Sequence, residues 1–292
     1  MVTKLYRSIV PETLRESFYD LFLRKILRFK RNFHILYKAF LARNFNFYKN
    51  SEVYDTLNFI GQYGLRSCPD KFSLKYDSLK VEVQRDSHPF VIHKGKKLYF
   101  PESFSDQEIQ KLYKSLVTEQ DLESAHRYSL NESDYQDAIL FDIGAAEGIL
   151  SLEKIDVIRF VYLVECEDRW ISALKKTFEP YASKVKIIFK YIDQFDIENS
   201  ISLNTLGKEL KGEKIFLKMD VEGYEEKAVL GGNEFLTNND CVTAICTYHN
   251  LNHPKDIENI LGNLGYKSSF SKGYIYWGYR LSKALIRSKN YN

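Results

Sequence analysis

The fold is decided by the stretch A-I-L-F-D-I-G-A-A-E, which occupies residues 138–147. The apolar residues 139–141 lead into Asp142, and Gly144 follows after one more apolar position. A short apolar run that ends in a turn signal indicates a buried parallel strand. Residues 149–152 (I-L-S-L) then begin a helical pattern. Strand, small-residue turn and helix together predict a ligand site at the carboxyl end of an α/β sheet.

The turn also indicates which ligand it holds. A dinucleotide site favours G-x-G-x-x-G, in which the second glycine lets the backbone approach a pyrophosphate. Here Ala146 stands at that second position, and two acids, Asp142 and Glu147, flank the turn. Carboxylates repel phosphate but attract the ammonium and sulfonium groups of S-adenosylmethionine, which contains no phosphate. The turn therefore favours this cofactor, and a nucleotide-binding Rossmann oxidoreductase stays as the alternative.

Composition limits the classes of protein to consider. The 292 residues carry a net charge of +3, and 44% of them are hydrophobic, which is enough for a packed core. The near-neutral balance gives no support for a nucleic-acid partner, while 20 Phe and 21 Tyr favour wide aromatic surfaces or sugar-facing pockets. The four cysteines are scattered, the chain start lacks a signal-peptide core, and no apolar run approaches membrane-spanning length. We therefore expect a cytoplasmic protein.

The first 125 residues are predicted to form an accessory region, which begins with basic helices. Up to Tyr48 there are ten basic and three acidic residues. Apolar residues recur at helical spacing between Leu14 and Phe29, and charged residues, mostly arginine, fill the other face. Such a basic amphipathic helix either docks on the rest of the protein with its basic face in water or lies on an anionic membrane surface. The sequence leaves both interpretations open.

The second half of this accessory region changes to a period of two. Apolar and charged residues alternate across 79–83, and a turn at 94–96 (K-G-K) separates two further apolar runs. This pattern predicts a small antiparallel sheet within residues 72–100. Ser105 and Glu108 then form a capping box before another predicted helix.

Residues 126–292 are predicted to form a second domain, in which strands and helices alternate. This alternation favours an α/β fold, a Rossmann-like doubly wound sheet that is mostly parallel and covered on both faces. After the first strand, the predicted strands are 159–165, 185–189, 215–219 and 241–248. The predicted helices are 168–178, 201–210, 223–235 and one that opens at Pro254. Segments 265–270 and 274–279 are predicted to finish the sheet as an antiparallel pair.

Acidic residues stand at or just beyond the carboxyl ends of four predicted strands: Asp142, Glu165, Asp193 and Asp220. Ligands of open α/β sheets bind at that edge. The acid that ends the second strand can accept hydrogen bonds from both ribose hydroxyls, so Glu165 is the sharpest cofactor prediction. Asp193 either reaches the adenine amino group or forms a turn within D-Q-F-D.

Four segments together resemble a known family. They are F-D-I-G-A-A-E-G-I-L-S-L, V-Y-L-V-E-C-E-D-R-W, L-K-M-D-V-E-G-Y-E and A-I-C-T-Y-H-N. In this order and spacing they are similar to bacterial FkbM-type methyltransferases, class I enzymes that use S-adenosylmethionine and are mostly assigned to O-methylation of sugars or polyketides. The resemblance covers roughly residues 124–279. It departs from the family pattern at Tyr224, where Ala is usual, and at Ala125, where Pro is usual.

The resemblance implies where the cofactor and the acceptor lie. It places Glu165 on the ribose, and the segment 220–225 (D-V-E-G-Y-E) where the methyl donor meets the acceptor, with Glu222, Tyr224 and Tyr248 as acceptor-side candidates. Two acids are few for a metal site, so no metal ion is predicted. The residues placed around the methionine part of the cofactor are those of the turn: Asp142, Gly144, Ala145, Glu147 and Gly148.

Methyl transfer to an alcohol also needs a base. His249, which follows the fifth predicted strand, is the leading candidate because the ordinary pKa of histidine lies near neutrality, and Asp220 is the reserve. His126 and Arg127 precede the first strand, where they could close over the pocket or bind an acidic acceptor.

The sequence therefore predicts an S-adenosylmethionine-dependent O-methyltransferase that acts on a sugar hydroxyl of a glycan or glycoconjugate intermediate. The acceptor would be a small molecule or a glycan of polysaccharide biosynthesis. A non-catalytic accessory protein that retains the fold stays as a second alternative.

Overall fold

The computed structural model of the chain describes residues 24–291, without the side chains of residues 24–29 and 31. The amphipathic helix predicted between Leu14 and Phe29 therefore lies mostly outside the described residues.

The accessory region consists of helices and a small sheet. Its helices are α1 (Arg24–Phe45), α2 (Tyr54–Tyr63) and α3 (Asp106–Glu119). Its strands are β1 (Gln84–Arg85), β2 (Pro89–His93) and β3 (Lys96–Tyr99), which pair antiparallel in the order β1-β2-β3. The predicted sheet and the capping box of Ser105 and Glu108 before α3 are both confirmed, although residues 79–83 do not pair as a strand.

The rest of the chain alternates between strands and helices. The helices are α4 (Ile149–Lys154), α5 (Asp168–Phe178), α6 (Leu203–Leu206), α7 (Glu225–Leu230), α8 (Asn233–Thr237) and α9 (His253–Asn263). The strands that precede α7 are β4 (Ile139–Ile143), β5 (Phe160–Glu165), β6 (Val185–Phe189), β7 (Tyr191–Ile192), β8 (Ser200–Ile201) and β9 (Lys214–Met219). The later strands are β10 (Asp240–Cys246), β11 (Lys267–Phe270), β12 (Ile275–Trp277), β13 (Arg280–Ser282) and β14 (Leu285–Lys289).

Seven of these strands form one sheet in the order β11-β14-β10-β9-β4-β5-β6. Every neighbouring pair is parallel except those made by β14, which runs antiparallel to both β10 and β11. The predicted doubly wound, mostly parallel sheet is confirmed. Because the chain continues from β4 to β5 on one side and places β9 on the other, the direction of winding reverses at β4, where α/β sheets bind ligands.

Both faces of the sheet are covered, as the apolar strands require. All five residues of β4 are buried. Leu140 packs in one hydrophobic cluster and its neighbour Phe141 in a second one, because successive strand residues point to opposite faces. Phe100 and Ile109 of the accessory region lie in the same cluster as Leu140, so this region and the sheet share one core. The division near residue 125 stays a prediction.

The predicted partner of the last sheet strand was wrong. β11 pairs with β14, and residues 274–279 belong instead to a separate hairpin of β12 and β13. Gly278 and Tyr279 connect these two strands and both have positive φ, which is the geometry of a tight two-residue hairpin turn. Because this turn reverses the chain directly after β12, residues 285–289 (β14) occupy the position between β10 and β11 in the sheet.

Two predicted helices are shorter than the sequence pattern suggested. The helix predicted at 223–235 begins only at Glu225 and breaks at Gly231 and Gly232 into α7 and α8. The helix predicted at 201–210 is limited to α6, which Ser202 caps and Gly207 ends. None of the helices in the described part of the chain is long and apolar enough to span a membrane.

Candidate active site

The turn after β4 depends on glycine. Gly144 has a φ of +75°, and a Cβ at this position would lie 1.9 Å from the backbone oxygen of Asp220. Gly148, which also has a φ of +75°, precedes α4, and its Cβ would lie 2.8 Å from the ring of Phe178. The N–H groups of Gly144 and Ala145 both donate to the carbonyl of Val164, at 2.9 and 3.1 Å. The turn can therefore pack closely against the neighbouring strand ends only because these positions lack side chains.

A cavity of about 530 Å³ lies beside this turn at the carboxyl ends of β4, β5 and β9. Helix α3 of the accessory region covers one side of it, so the site is not built from the sheet alone. The predicted site residues that line the cavity are Gly144, Ala145, Glu147, Glu165, Asp220, Glu222 and Tyr224. Residues that the sequence analysis did not select also line it, among them Glu119, Tyr128, Trp170, Tyr191 and Lys218.

The cavity is predominantly acidic. Six carboxylates and three cationic side chains line it. Burial raises the pKa of Glu147 to about 7, and burial together with the nearby carboxylates raises that of Glu119 to about 7. A cationic ligand would favour the charged form of both groups, whereas a pyrophosphate would be repelled. The electrostatic character of the cavity thus agrees with the prediction made from the turn.

Glu165 occupies the end of β5 in the predicted position and is buried. Its Oε2 accepts a hydrogen bond from the N–H of Ala146 at 2.8 Å. Its Oε1 accepts from the N–H groups of Cys166 and Glu167, also at 2.8 Å. A carboxylate has about four lone-pair sites, so Oε2 keeps one that can accept a hydroxyl from a ligand. The carboxylate is therefore fixed in orientation before any ligand binds.

Asp142 is held in a buried ion pair behind the turn. Lys218, in the neighbouring strand β9, has its Nζ 2.9 Å from Asp142 Oδ1, and Ser151 donates to Oδ2 at 2.7 Å. The Lys218 ammonium also donates to the carbonyl of Gly144. Burial alone would lower the pKa of Lys218, but the facing carboxylates of Asp142 and Asp220 raise it. The ion pair therefore holds the turn in place. Lys218 was not selected in the sequence analysis, although a lysine inside an apolar strand indicates a buried charge that needs a partner.

Three of the predicted residues that do not line the main cavity make contacts that support the fold. Gly148 supports the turn through its packing against α5. Asp193 accepts a hydrogen bond from the N–H of Gln194 at 2.6 Å, so the turn-forming interpretation describes its contacts. Arg127 donates to the backbone carbonyls of Gln120 and Ser129, and these bonds stabilise the segment that precedes β4.

Asp220 lies at the centre of a polar cluster that borders the cavity. The hydroxyls of Tyr248 and Tyr128 donate to its carboxylate, at 3.2 and 3.4 Å. His126 is buried with its Nε2 3.2 Å from the hydroxyl of Tyr248, and burial lowers its pKa to about 4, so it stays neutral near neutral pH. Burial would raise the pKa of Asp220, but His126, Lys218 and His249 outweigh this effect and lower it. Asp220 is therefore ionised and held by two tyrosines.

His249 is placed by a buried carboxylate, that of Glu225, which the sequence analysis included in the segment 220–225 without giving it a role of its own. The Nδ1 of His249 lies 2.6 Å from Oε1 of Glu225, which is fully buried at the start of α7. Glu225 also accepts from the N–H groups of Val221 and Gly223 and lies 3.2 Å from Nδ1 of His253. Its bonds with His249, His253 and the N–H of Val221 lower its pKa to about 2 despite burial. Glu225 therefore keeps its charge and fixes the orientation of the imidazole.

The other ring nitrogen of His249 points towards the cavity wall. Nε2 is buried and has no hydrogen-bond partner among the described residues. It lies 3.6 Å from Asp220 Oδ1 and 3.4 Å from Glu222 Oε2, and both of these residues line the cavity. Burial alone would lower the pKa of His249, but the carboxylates of Glu225, Asp220 and Glu222 raise it. His249 can therefore accept a proton that arrives through Asp220.

Oxygen and nitrogen atoms of Asp220, Glu225 and His249 also lie within 4.8 Å of one another, as in a metal site. However, each oxygen of Glu225 already accepts a backbone N–H and faces a histidine nitrogen. The contacts of Glu225 are therefore those of a carboxylate that orients histidines rather than those of a free metal ligand.

Comparison with known proteins adds similarities of structure. No protein-family model and no curated protein matches the chain. It is similar to the crystal structure of methyltransferase FkbM from Methylobacillus flagellatus KT, with 18% identity, a TM-score of 0.45, and 63% of this chain and 55% of that chain covered. It is similar to magnesium protoporphyrin IX methyltransferase (ChlM) from Synechocystis with bound SAM, with 12% identity, a TM-score of 0.42, and 65% and 86% covered. The chain thus spans about half the length of the first of these structures.

The fold follows from the strand order itself. A seven-stranded, mostly parallel sheet with one antiparallel strand, together with a glycine turn and an acid at the ends of its first two strands, defines a Rossmann-like class I methyltransferase fold.

Proposed function

We propose that the protein is an S-adenosylmethionine-dependent O-methyltransferase. The observation that carries the proposal is the acidic cavity at the switch point of the sheet, with Glu165 already oriented by three backbone N–H groups. When bound, S-adenosylmethionine supplies a methyl group on a positively charged sulfur. Glu165 would accept the ribose hydroxyls, and the backbone of the turn at Gly144 and Ala145 would face the methionine part. The acidic lining disfavours the dinucleotide of the alternative oxidoreductase.

We further propose that the acceptor is a sugar hydroxyl of a glycan or glycoconjugate intermediate. The support is the resemblance of the four sequence segments to FkbM-type enzymes, together with the aromatic side chains of Tyr128, Trp170, Tyr191 and Tyr224 around the cavity. Aromatic rings pack well against the apolar faces of sugars, and Tyr224 is partly exposed at the site. The four cysteines form no disulfide, which agrees with a reducing, cytoplasmic compartment.

The proton of the acceptor hydroxyl needs a route to a base. Asp220 is the carboxylate at the cavity wall that can accept a hydrogen bond from the hydroxyl, but its lowered pKa makes it a weak base. His249 lies 3.6 Å behind it and has a raised pKa. The acceptor oxygen would form its bond to the methyl carbon as the bond from that carbon to the sulfur breaks, so that S-adenosylhomocysteine leaves with the electron pair on its neutral sulfur. The proton of the acceptor hydroxyl would pass to Asp220 and on to Nε2 of His249. The imidazolium that results is stabilised by Glu225, and the proposal requires no metal ion.

The cofactor assignment predicts a strong effect of Glu165→Gln. The amide would place an N–H donor against backbone N–H groups and remove the charge that a ribose hydroxyl bonds. We expect the affinity for S-adenosylmethionine, measured by calorimetry, to fall at least about tenfold. Glu198→Gln is the matched control, because Glu198 is exposed and does not line the cavity. Equal affinities of Glu165→Gln and the parent protein would contradict the assignment, and tight binding of NAD would favour the oxidoreductase.

The reaction itself is tested by methyl transfer. The purified protein is incubated with S-adenosylmethionine carrying a labelled methyl group and a set of sugars, nucleotide sugars and glycolipid intermediates. We expect label in an ether of one sugar class. Cofactor binding without transfer to any acceptor class would favour the non-catalytic accessory protein.

A further inference from the structure

Helix α1 presents two faces of opposite character. One face is buried and includes Ile35, Ala39 and Ala42, which pack in a cluster with Leu57 and Ile60 of α2. Tyr276 and Leu281 of the hairpin formed by β12 and β13 pack against the same cluster. This face fixes α1 on the protein, so the orientation of the opposite face is determined.

The opposite face carries exposed aromatic rings. Phe33, Tyr37 and Phe40 are each more than half exposed, and their spacing of four and three residues places them on one side of the helix. Phe45 at the end of α1 and Phe47 just after it are also more than half exposed. The ring of Phe33 stacks on that of Tyr37, and Phe40 makes an edge contact with Phe45. We call these five residues the aromatic face, and so many exposed aromatic rings within fifteen residues are unusual on a surface in contact only with water.

The charge around the aromatic face has a single sign. Residues 21–50 contain eight Lys and Arg but no Asp or Glu. Lys30, Lys38 and Lys49 are exposed, and within the described part of the chain none of them forms an ion pair with an acidic side chain. Exposed aromatic rings bordered by exposed lysines match the headgroup region of a membrane, where rings enter the apolar boundary and lysines reach phosphates.

We propose that the aromatic face docks on an anionic phospholipid bilayer. The attraction between this face and the bilayer is electrostatic as well as apolar. Each basic side chain near an anionic leaflet adds an attraction that salt weakens. Aromatic rings beside cations can also stack on the bases of single-stranded nucleic acid, but the net charge of only +3 for the whole chain gives no support for a polyanionic partner of that kind. The occupant is therefore the bilayer, and this inference does not depend on the proposed enzymatic activity.

The helix that carries the aromatic face is also connected to the candidate active site. The hydroxyl of Tyr276 donates to Asn32 on the buried side of α1. In the same strand, the ring of Trp277 lies 5.7 Å from that of Tyr248 and 5.9 Å from that of His249. One short hairpin thus packs against the buried face of α1 and also against Tyr248 and His249 beside the cavity.

Vesicle sedimentation with the full chain tests the proposal. Vesicles of phosphatidylcholine alone are compared with vesicles that contain about one third phosphatidylglycerol, at about 0.05 M and about 0.5 M salt. We expect the parent protein to bind only the anionic vesicles and to dissociate at high salt. Phe40→Ser/Phe47→Ser should weaken binding at least about tenfold. Phe189→Ser/Phe195→Ser is the matched control, because these phenylalanines are similarly exposed but lie elsewhere, and it should bind like the parent.

Four results would overturn the proposal. They are failure of the parent to bind anionic vesicles, equal binding to neutral vesicles, unchanged binding of Phe40→Ser/Phe47→Ser, and binding to single-stranded nucleic acid in place of vesicles. Sedimentation velocity without lipid provides a further check. If the variant converts a dimer into a monomer while the parent ignores vesicles, the aromatic face is an interface between two copies of the chain. Circular dichroism establishes that both variants are folded.

Discussion

Lys218→Met is expected to lower the free energy of unfolding by about 3–5 kcal/mol. Methionine fills the space of the lysine stem but leaves Asp142, which is almost completely buried, without its cationic partner. The carbonyl of Gly144 loses its donor at the same time. A carboxylate that is buried without a partner must take up a proton or draw in water, and either change opposes folding. Urea unfolding followed by circular dichroism measures the effect.

A second substitution separates the ion pair from simple packing. Asp142→Leu in the Lys218→Met background removes the orphaned charge, so the double variant should recover much of the lost stability. Lys186→Met, at an exposed position of the edge strand β6, is the matched control and should change the stability by less than about 0.5 kcal/mol. If Lys218→Met is as stable as the parent, the pair does not hold the turn. If the double variant is less stable than the single one, the loss comes from packing.

Local pattern was enough to predict the frame of the site. The apolar run of β4, the glycine turn and the acids after successive strands are each visible within a few residues. Parallel strands bring their carboxyl ends to one edge, so Glu165 and Asp220 could be assigned to the same ligand site before any contact was known. The cavity at that edge and its acidic lining agree with this assignment.

The partners of these residues could not be predicted, because they depend on contacts between distant segments. Lys218 reaches Asp142 from the adjacent strand, and the pair is visible only when β9 is known to lie beside β4. Glu225 reads as an ordinary acid at a helix start, and its role appears only when the end of β10 brings His249 against it. The same cause explains the wrong last strand, since β12 and β13 lie in a separate hairpin whose tight turn leaves the sheet to β14.

His249→Gln is expected to reduce kcat by about 10²–10⁴-fold while leaving the affinity for S-adenosylmethionine unchanged. The reason is geometric: His249 lies behind Asp220 and does not line the cavity, so it can act on the proton of the acceptor without touching the cofactor. Steady-state kinetics with the acceptor identified by methyl transfer, together with calorimetry, separate the two effects. A variant that keeps most of its kcat would instead assign the base to Asp220.

Glu225→Gln provides the sharper test, because it moves a pKa rather than only a rate. His249 must be neutral to accept a proton, and its pKa is raised above the ordinary 6.5 by the Glu225 carboxylate. In the parent, kcat should therefore rise with pH through a pKa above 6.5. Without the carboxylate the imidazolium is less stable, so the rising limb of Glu225→Gln should move to lower pH and end on a lower plateau, because a weaker base accepts the proton less readily. Glu226→Gln, one residue along α7, is the control and should leave the rising part of the kcat–pH profile at the pH of the parent. If Glu225→Gln also leaves it there, Glu225 only supports the fold.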